Sequence, residues 1–181
     1  MPPSLANYRY AVDAEDRLAW VAPLWLAFAQ ENGAEDLTED AVLGRSLWDF
    51  VSGEATRLFY RELHDRIRHS KETVVVPFRC DSPSMQRSMR MTIRHDEGNH
   101  LVYESKIFRA EPQTRLRIID PHEPRSRAFL TVCSCCRRAL LETVGWLELF
   151  DIAVRLKLYR AETIPQLHYT ICPDCRKFSR H

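Results

Sequence analysis

Four of the chain's six cysteines form two C-x-x-C hooks, Cys133 with Cys136 and Cys172 with Cys175. A hook of this kind brings two thiolates to one ion from a tight turn, and two hooks supply Zn²⁺ with four tetrahedral sulfurs at ~2.3 Å. The spacing therefore points to structural zinc, with redox dithiols and unliganded core cysteines as the alternatives. Four sulfurs leave no open coordination position, which disfavours a catalytic metal. Cys135 stands between the ligands of the first hook as a spare thiol, and His168 is a substitute ligand the site does not need. Cys80, alone in a strand-like segment, reads as buried packing. The 35 residues between the hooks (137 to 171) exceed the common ribbon spacing and must carry structure of their own. Val144, Leu147, Phe150, Val154 and Leu158 recur at helical spacing there, so a helix is expected to cross between the hooks.

The motifs of phosphate-binding loops, zinc proteases and serine hydrolases are absent, and five glycines are few for a phosphate cradle. No enzyme is expected.

The elements that position these residues follow from periodicity. Tyr8 to Val12 and Leu18 to Val21 read as a hairpin around Asp13-Ala14-Glu15-Asp16. Pro23 opens a helix over Leu24 to Glu31, closed by Asn32-Gly33. Glu54 to His69 reads as the longest helix, with Leu58, Leu63 and Ile67 near helical spacing. Thr73 to Cys80, Met85 to Ile93 and Leu101 to Phe108 are strands, the second alternating with one buried face, and Asp96-Glu97-Gly98-Asn99 turns between the last two. Pro112, Pro121 and Pro124 mark a connector. The expected domains are 6–110, a connector 111–128, and a cysteine-bearing subdomain 129–181.

This order, with the hairpin YAVDAEDRLAWV, the segment GRSLWDF leading into the long helix, and VPFRCDSP at the third strand, resembles PAS sensory domains over about residues 6–110. The tail is similar to one found after such domains in bacterial signalling proteins, where a C-S-x-C motif pairs with I-C-P-x-C; here these read Cys133-Ser134-Cys135-Cys136 and Ile171-Cys172-Pro173-Asp174-Cys175. The usual third residue of the first motif is Trp, and Cys135 departs from it. The resemblance implies an α+β fold, a PAS-like five-stranded antiparallel sheet with helices on one face, followed by a small zinc-stabilised helical subdomain. A ligand pocket between sheet and helices would draw on Trp20, Trp25, Phe28, Trp48, Phe50, Phe59, Phe78, Arg79, Met89, Met91 and Tyr103, a set that an ordinary filled core also resembles. Arg79 and Asp81 would be polar anchors or a salt bridge. His64 and His69 lie on the helix where haem-binding relatives keep an axial ligand, but their charged neighbours suggest that they face solvent, so haem is disfavoured. Flavin is disfavoured too, because residues 50–60 hold no cysteine.

A net charge of +1 gives no global preference for nucleic acid or membrane. Acids crowd 11–40 and arginines 57–94, a lopsidedness that steers an anionic partner or marks a solvated face. The amino terminus lacks a secretory pattern, so a cytoplasmic, membrane-free protein is expected. The function implied is a non-enzymatic sensory and protein-interaction module, working through a signalling partner or a homodimer. The alternative is a nucleic-acid-binding regulator using Arg137, Arg138, Arg176, Lys177 and Arg180 around the hooks.

Overall fold

A computed structural model of the chain describes residues 7–179. The expected domain start at residue 6 and Arg180 lie outside the described residues. Nine strands and five helices form an α+β protein with two sheets among these residues.

The first sheet contains β1 (Asn7–Val12), β2 (Leu18–Val21), β3 (Val74–Arg79), β4 (Met85–His95) and β5 (Leu101–Pro112) in the order β2-β1-β5-β4-β3, antiparallel throughout. Asp13 sets the first hairpin: its Oδ1 accepts from the backbone N–H groups of Glu15 and Arg17 at 3.0 and 2.8 Å, an Asx-type turn. Between β2 and β3 the chain crosses one face of the sheet as α1 (Pro23–Glu31), α2 (Glu39–Val42), a 3-10 turn at Leu47–Asp49 and α3 (Glu54–Ser70). Phe59, Leu63 and Ile67 on α3 are fully buried against Val76, Ile93 and Tyr103 of the sheet. The fold is PAS-like, with the helices on one face. The opposite face is mixed, with Arg9 and Lys106 both beside Glu104 and with Trp20 and the exposed Val75 sharing it.

The second sheet consists of β6 (Arg125–Cys133), β7 (Ala139–Leu141), β8 (Gly145–Leu147) and β9 (Ile164–Thr170), in the order β8-β7-β6-β9, with β6 and β9 parallel. The helix expected across Val144 to Leu158 is replaced by a hairpin and the short α4 (Leu149–Arg155). Gly145, at φ 103°, reverses the chain where a helix would need it to continue. Val144, Phe150 and Val154 are consequently exposed, while Leu149, Ile152 and Ala153 face inward. The subdomain is thus built on a sheet rather than on a helix.

Residues 111–128 are partly structured. Glu111 and Pro112 end β5, and Arg125 begins β6. Leu116 and Ile118, at a 3-10 turn between them, are buried in a second core with Leu130, Val132, Ile152 and Ile164. The buried cysteines belong instead to the first core. Cys133, Cys135, Cys172 and Cys175 pack in one cluster with Phe59, Leu63, Val74 and Val76.

Candidate metal centre and core cavity

Cys133 ends β6, and the chain turns through Ser134, Cys135 and Cys136 into Arg137, a left-handed residue at φ 61°. Two backbone bonds close the turn, from Arg137 N–H to the Cys133 carbonyl at 3.0 Å and from Cys133 N–H to the Arg138 carbonyl at 2.8 Å. The second hook is delivered by β9, whose Thr170 lies opposite Cys133. Pro173 then opens the single-turn α5 (Pro173–Arg176), with Cys172 at its cap and Cys175 inside it. Parallel pairing needs a crossover of a dozen or more residues. That requirement accounts for the long interval between the hooks: β7, β8 and α4 are the crossover.

The sulfurs of Cys133, Cys136, Cys172 and Cys175 all lie within 4.8 Å of one another, with Cys136 and Cys172 3.7 Å apart. A tetrahedral site with ~2.3 Å metal–sulfur bonds has sulfur–sulfur edges of about 3.8 Å. The four residues thus fit a closed metal site. The Cys172 N–H points at the Cys133 sulfur (3.3 Å), and Arg138 donates to the sulfurs of Cys136 (3.3 Å) and Cys172 (3.8 Å). These donors offset the negative charge of a thiolate set and orient its members. Hydrogen bonds from Cys135, Cys136 and Cys175 hold the Cys133 thiol far below its ordinary pKa, while the same crowding pushes Cys175 up. The Arg138 guanidinium is held protonated by Cys136 and Asp174. Cys135 is buried beside the cluster, and His168 is exposed on β9.

The hook turn is tied to the first sheet. Arg79, at the end of β3, donates its backbone N–H to the Cys135 carbonyl at 2.7 Å. Its guanidinium reaches Asp81 at 2.5 Å and Glu148, just before α4, at 2.6 Å. Arg79 and Asp81 therefore form a salt bridge, with the Asp81 carboxylate fully buried. The hydroxyls of Thr56 on α3 and Ser134 in the hook lie 2.6 Å apart. Gly53 abuts Tyr169 so closely that a Cβ there would meet the Tyr169 carbonyl at 2.5 Å.

A cavity of about 270 Å³ lies between the first sheet and the helices. Trp25, Phe28, Phe50, Phe78, Met89 and Met91 line it. Trp20 sits on the other face of the sheet, under the Arg9 guanidinium. Trp48 packs on His64, Phe59 is in the filled core, and Tyr103 stacks on Tyr10. The remaining lining comes from Tyr8, Tyr10, Leu18, Leu47, Val51, Cys80 and Ser105. Tyr8 and Tyr10 alternate on β1 and were legible as one face of a strand; Val51, in a loop, carried no such signal. Burial pushes the Cys80 thiol up, against the nearby charges of Arg137 and Arg87.

His64 is a correction. It is fully buried, with Nδ1 2.6 Å from Asp16 and Nε2 in a short hydrogen bond with the Tyr103 hydroxyl. Its charged neighbours suggest solvent, but Arg68, four residues on and on the same face, turns its guanidinium to the Asp16 carboxylate that also pairs with His64, so the charge is met inside the fold. His69 is exposed. Of the basic residues near the hooks, Arg138 and Lys177 converge on Asp174, and Arg137 lies over the Tyr169 ring.

No family model matches the chain, and no curated protein matches it. Among solved structures it is similar to one described as a sensory box sensor histidine kinase from Vibrio cholerae, with a TM-score of 0.41 and 11% identity, over 57% of this chain and 82% of that one. No helix among the described residues is long and apolar enough to cross a membrane.

Proposed function

We propose that the chain is a non-enzymatic sensory and protein-interaction module of bacterial, cytoplasmic signal transduction, its PAS-like core braced by a structural zinc ion. The observation that carries this reading is the position of Arg79. Its neighbours Phe78 and Cys80 line the cavity, while Arg79 itself grips the Cys135 turn and Glu148. A change in the cavity is thereby felt at the metal hook. Cys133, Cys136, Cys172 and Cys175 would hold zinc, which would supply folding energy to the segment it ties down. Output passes by contact with a signalling partner or a second copy of the chain.

Native mass spectrometry of protein purified without added metal tests the reading, because it reports zinc, cargo and stoichiometry together. One zinc per chain, with a homodimer or a partner complex that disassembles on chelation, is the expected result. A metal-free, monomeric protein that captures no partner under reducing conditions would overturn it. The nucleic-acid alternative predicts a salt-dependent mobility shift with oligonucleotides; the internal pairing of Arg138 and Lys177 with Asp174 leaves it the secondary reading.

A further inference from the structure

The cavity under α1 has a lining with a definite chemical character. None of its residues is Asp, Glu, Lys, Arg or His. Its walls are aromatic and thioether side chains, among them Tyr10, Trp25, Phe78 and Met91, and its polar functions are neutral: the hydroxyls of Tyr8, Tyr10 and Ser105 and the thiol of Cys80. An ion brought here would meet no ionised side chain in the lining to pair with directly, the Arg87 guanidinium lying over the Phe28 ring and outside the lining, and a desolvated, unpaired charge costs far more than a neutral polar group does. Among the described residues no histidine lines the cavity, and His64 on α3 is taken up by Asp16 and Tyr103. Size narrows the class further. An apolar cavity of about 150 Å³ stays dry and takes benzene, and about 270 Å³ leaves room for two fused rings. α1, whose Trp25 and Phe28 line the cavity, has no buried residue and no side-chain cap at its N-terminus.

We propose that this cavity binds a neutral, planar, two-ring aromatic molecule with a single hydrogen-bonding group, admitted by displacement of α1. The proposal rests on the sensory reading and names the chemistry of what is sensed.

A matched pair of probes tests it: 2-naphthol, neutral at pH 7, and its ionised relative 2-naphthoate, titrated into the full zinc-loaded chain and followed by thermal shift and amide chemical-shift changes. Expected are saturable binding of 2-naphthol, with shifts centred on Trp25, Phe78 and Ser105, and binding of 2-naphthoate weaker by roughly ten-fold or more. Val51→Trp, which fills the cavity from its loop, should abolish binding with zinc content unchanged. If that variant fails to fold, Ser105→Leu provides the same test from β5. The proposal is overturned if neither probe binds, if the two bind equally, or if a folded, filled variant still binds 2-naphthol. None of these results touches zinc content or partner capture, so they leave the sensory reading to its own test.

Discussion

Asp16, at φ 59° in the first hairpin, receives hydrogen bonds from both His64 and Arg68 at 2.6 Å. Burial alone would raise its pKa, but these two partners outweigh burial and hold the carboxyl below its usual value. A carboxyl with a depressed folded-state pKa adds stability above its unfolded value, and that stability is lost as pH falls through the folded value. The melting temperature should therefore fall as pH drops below about 4, and Asp16→Asn should flatten that part of the profile. His64→Leu leaves Asp16 and Tyr103 short of a partner and should cost about 2–4 kcal/mol in urea unfolding. A cost below 0.5 kcal/mol would mean that the three groups do not depend on one another. At the metal site, serine at 133, 136, 172 or 175 should release zinc, whereas Cys135→Ser should retain about one ion per chain, because a C-x-x-C turn aims its outer sulfurs inward. Metal analysis of the purified variants decides this; loss from Cys135→Ser with retention in Cys133→Ser would reassign the ligands.

At the scale of elements, β3 ends in a buried charge pair, while α4 divides its apolar residues between core and solvent. Arg79 neutralises a fully buried Asp81 and reaches Glu148. Arg79→Leu strands that carboxylate and should destabilise the chain by about 3–5 kcal/mol while zinc stays bound. Arg79→Leu with Asp81→Asn should recover part of the loss in the same denaturation measurement. On α4, Ile152 is fully buried and Phe150 is exposed. Ile152→Ala should cost about 2–5 kcal/mol; Phe150→Ser should stay within about 0.5 kcal/mol. A continuous helix from 144 to 158 with Phe150 on its buried stripe would give a large cost at Phe150, so urea unfolding of these two variants separates the arrangements.

For the whole molecule, the decisive feature is that the cysteine hooks belong to the core of the PAS-like sheet. A self-contained zinc tail would melt separately on chelation and leave residues 7–112 intact. Here Cys133, Cys135 and Cys172 touch the core that α3 and β3 share, so removing zinc should lower a single cooperative transition for the entire chain. A shift of about 10 °C corresponds to a loss of several kcal/mol at this size. Calorimetry with and without chelator, under reducing conditions, checks it; two separated transitions would show the halves to be independent.

What the sequence determined by itself was local. The two hooks, the two hairpin turns, the alternation of Met89, Met91 and Ile93, and the span of α3 are each written within a few consecutive residues, and periodicity or turn chemistry exposes them directly. The resemblance carried by YAVDAEDRLAWV and GRSLWDF extended this to a PAS-like sheet. Only the tertiary structure decided which of two faces a residue occupies and which core it joins. The apolar spacing of Val144, Phe150 and Val154 reads as helix until Gly145 reverses the chain. His64 reads as wet until Asp16 and Tyr103, far away in sequence, meet it. The union of hook and sheet through Arg79 and Cys135 is a contact between residues 56 positions apart. Contacts of that separation form only after loop closure brings the partners together, and nothing in the local pattern records them.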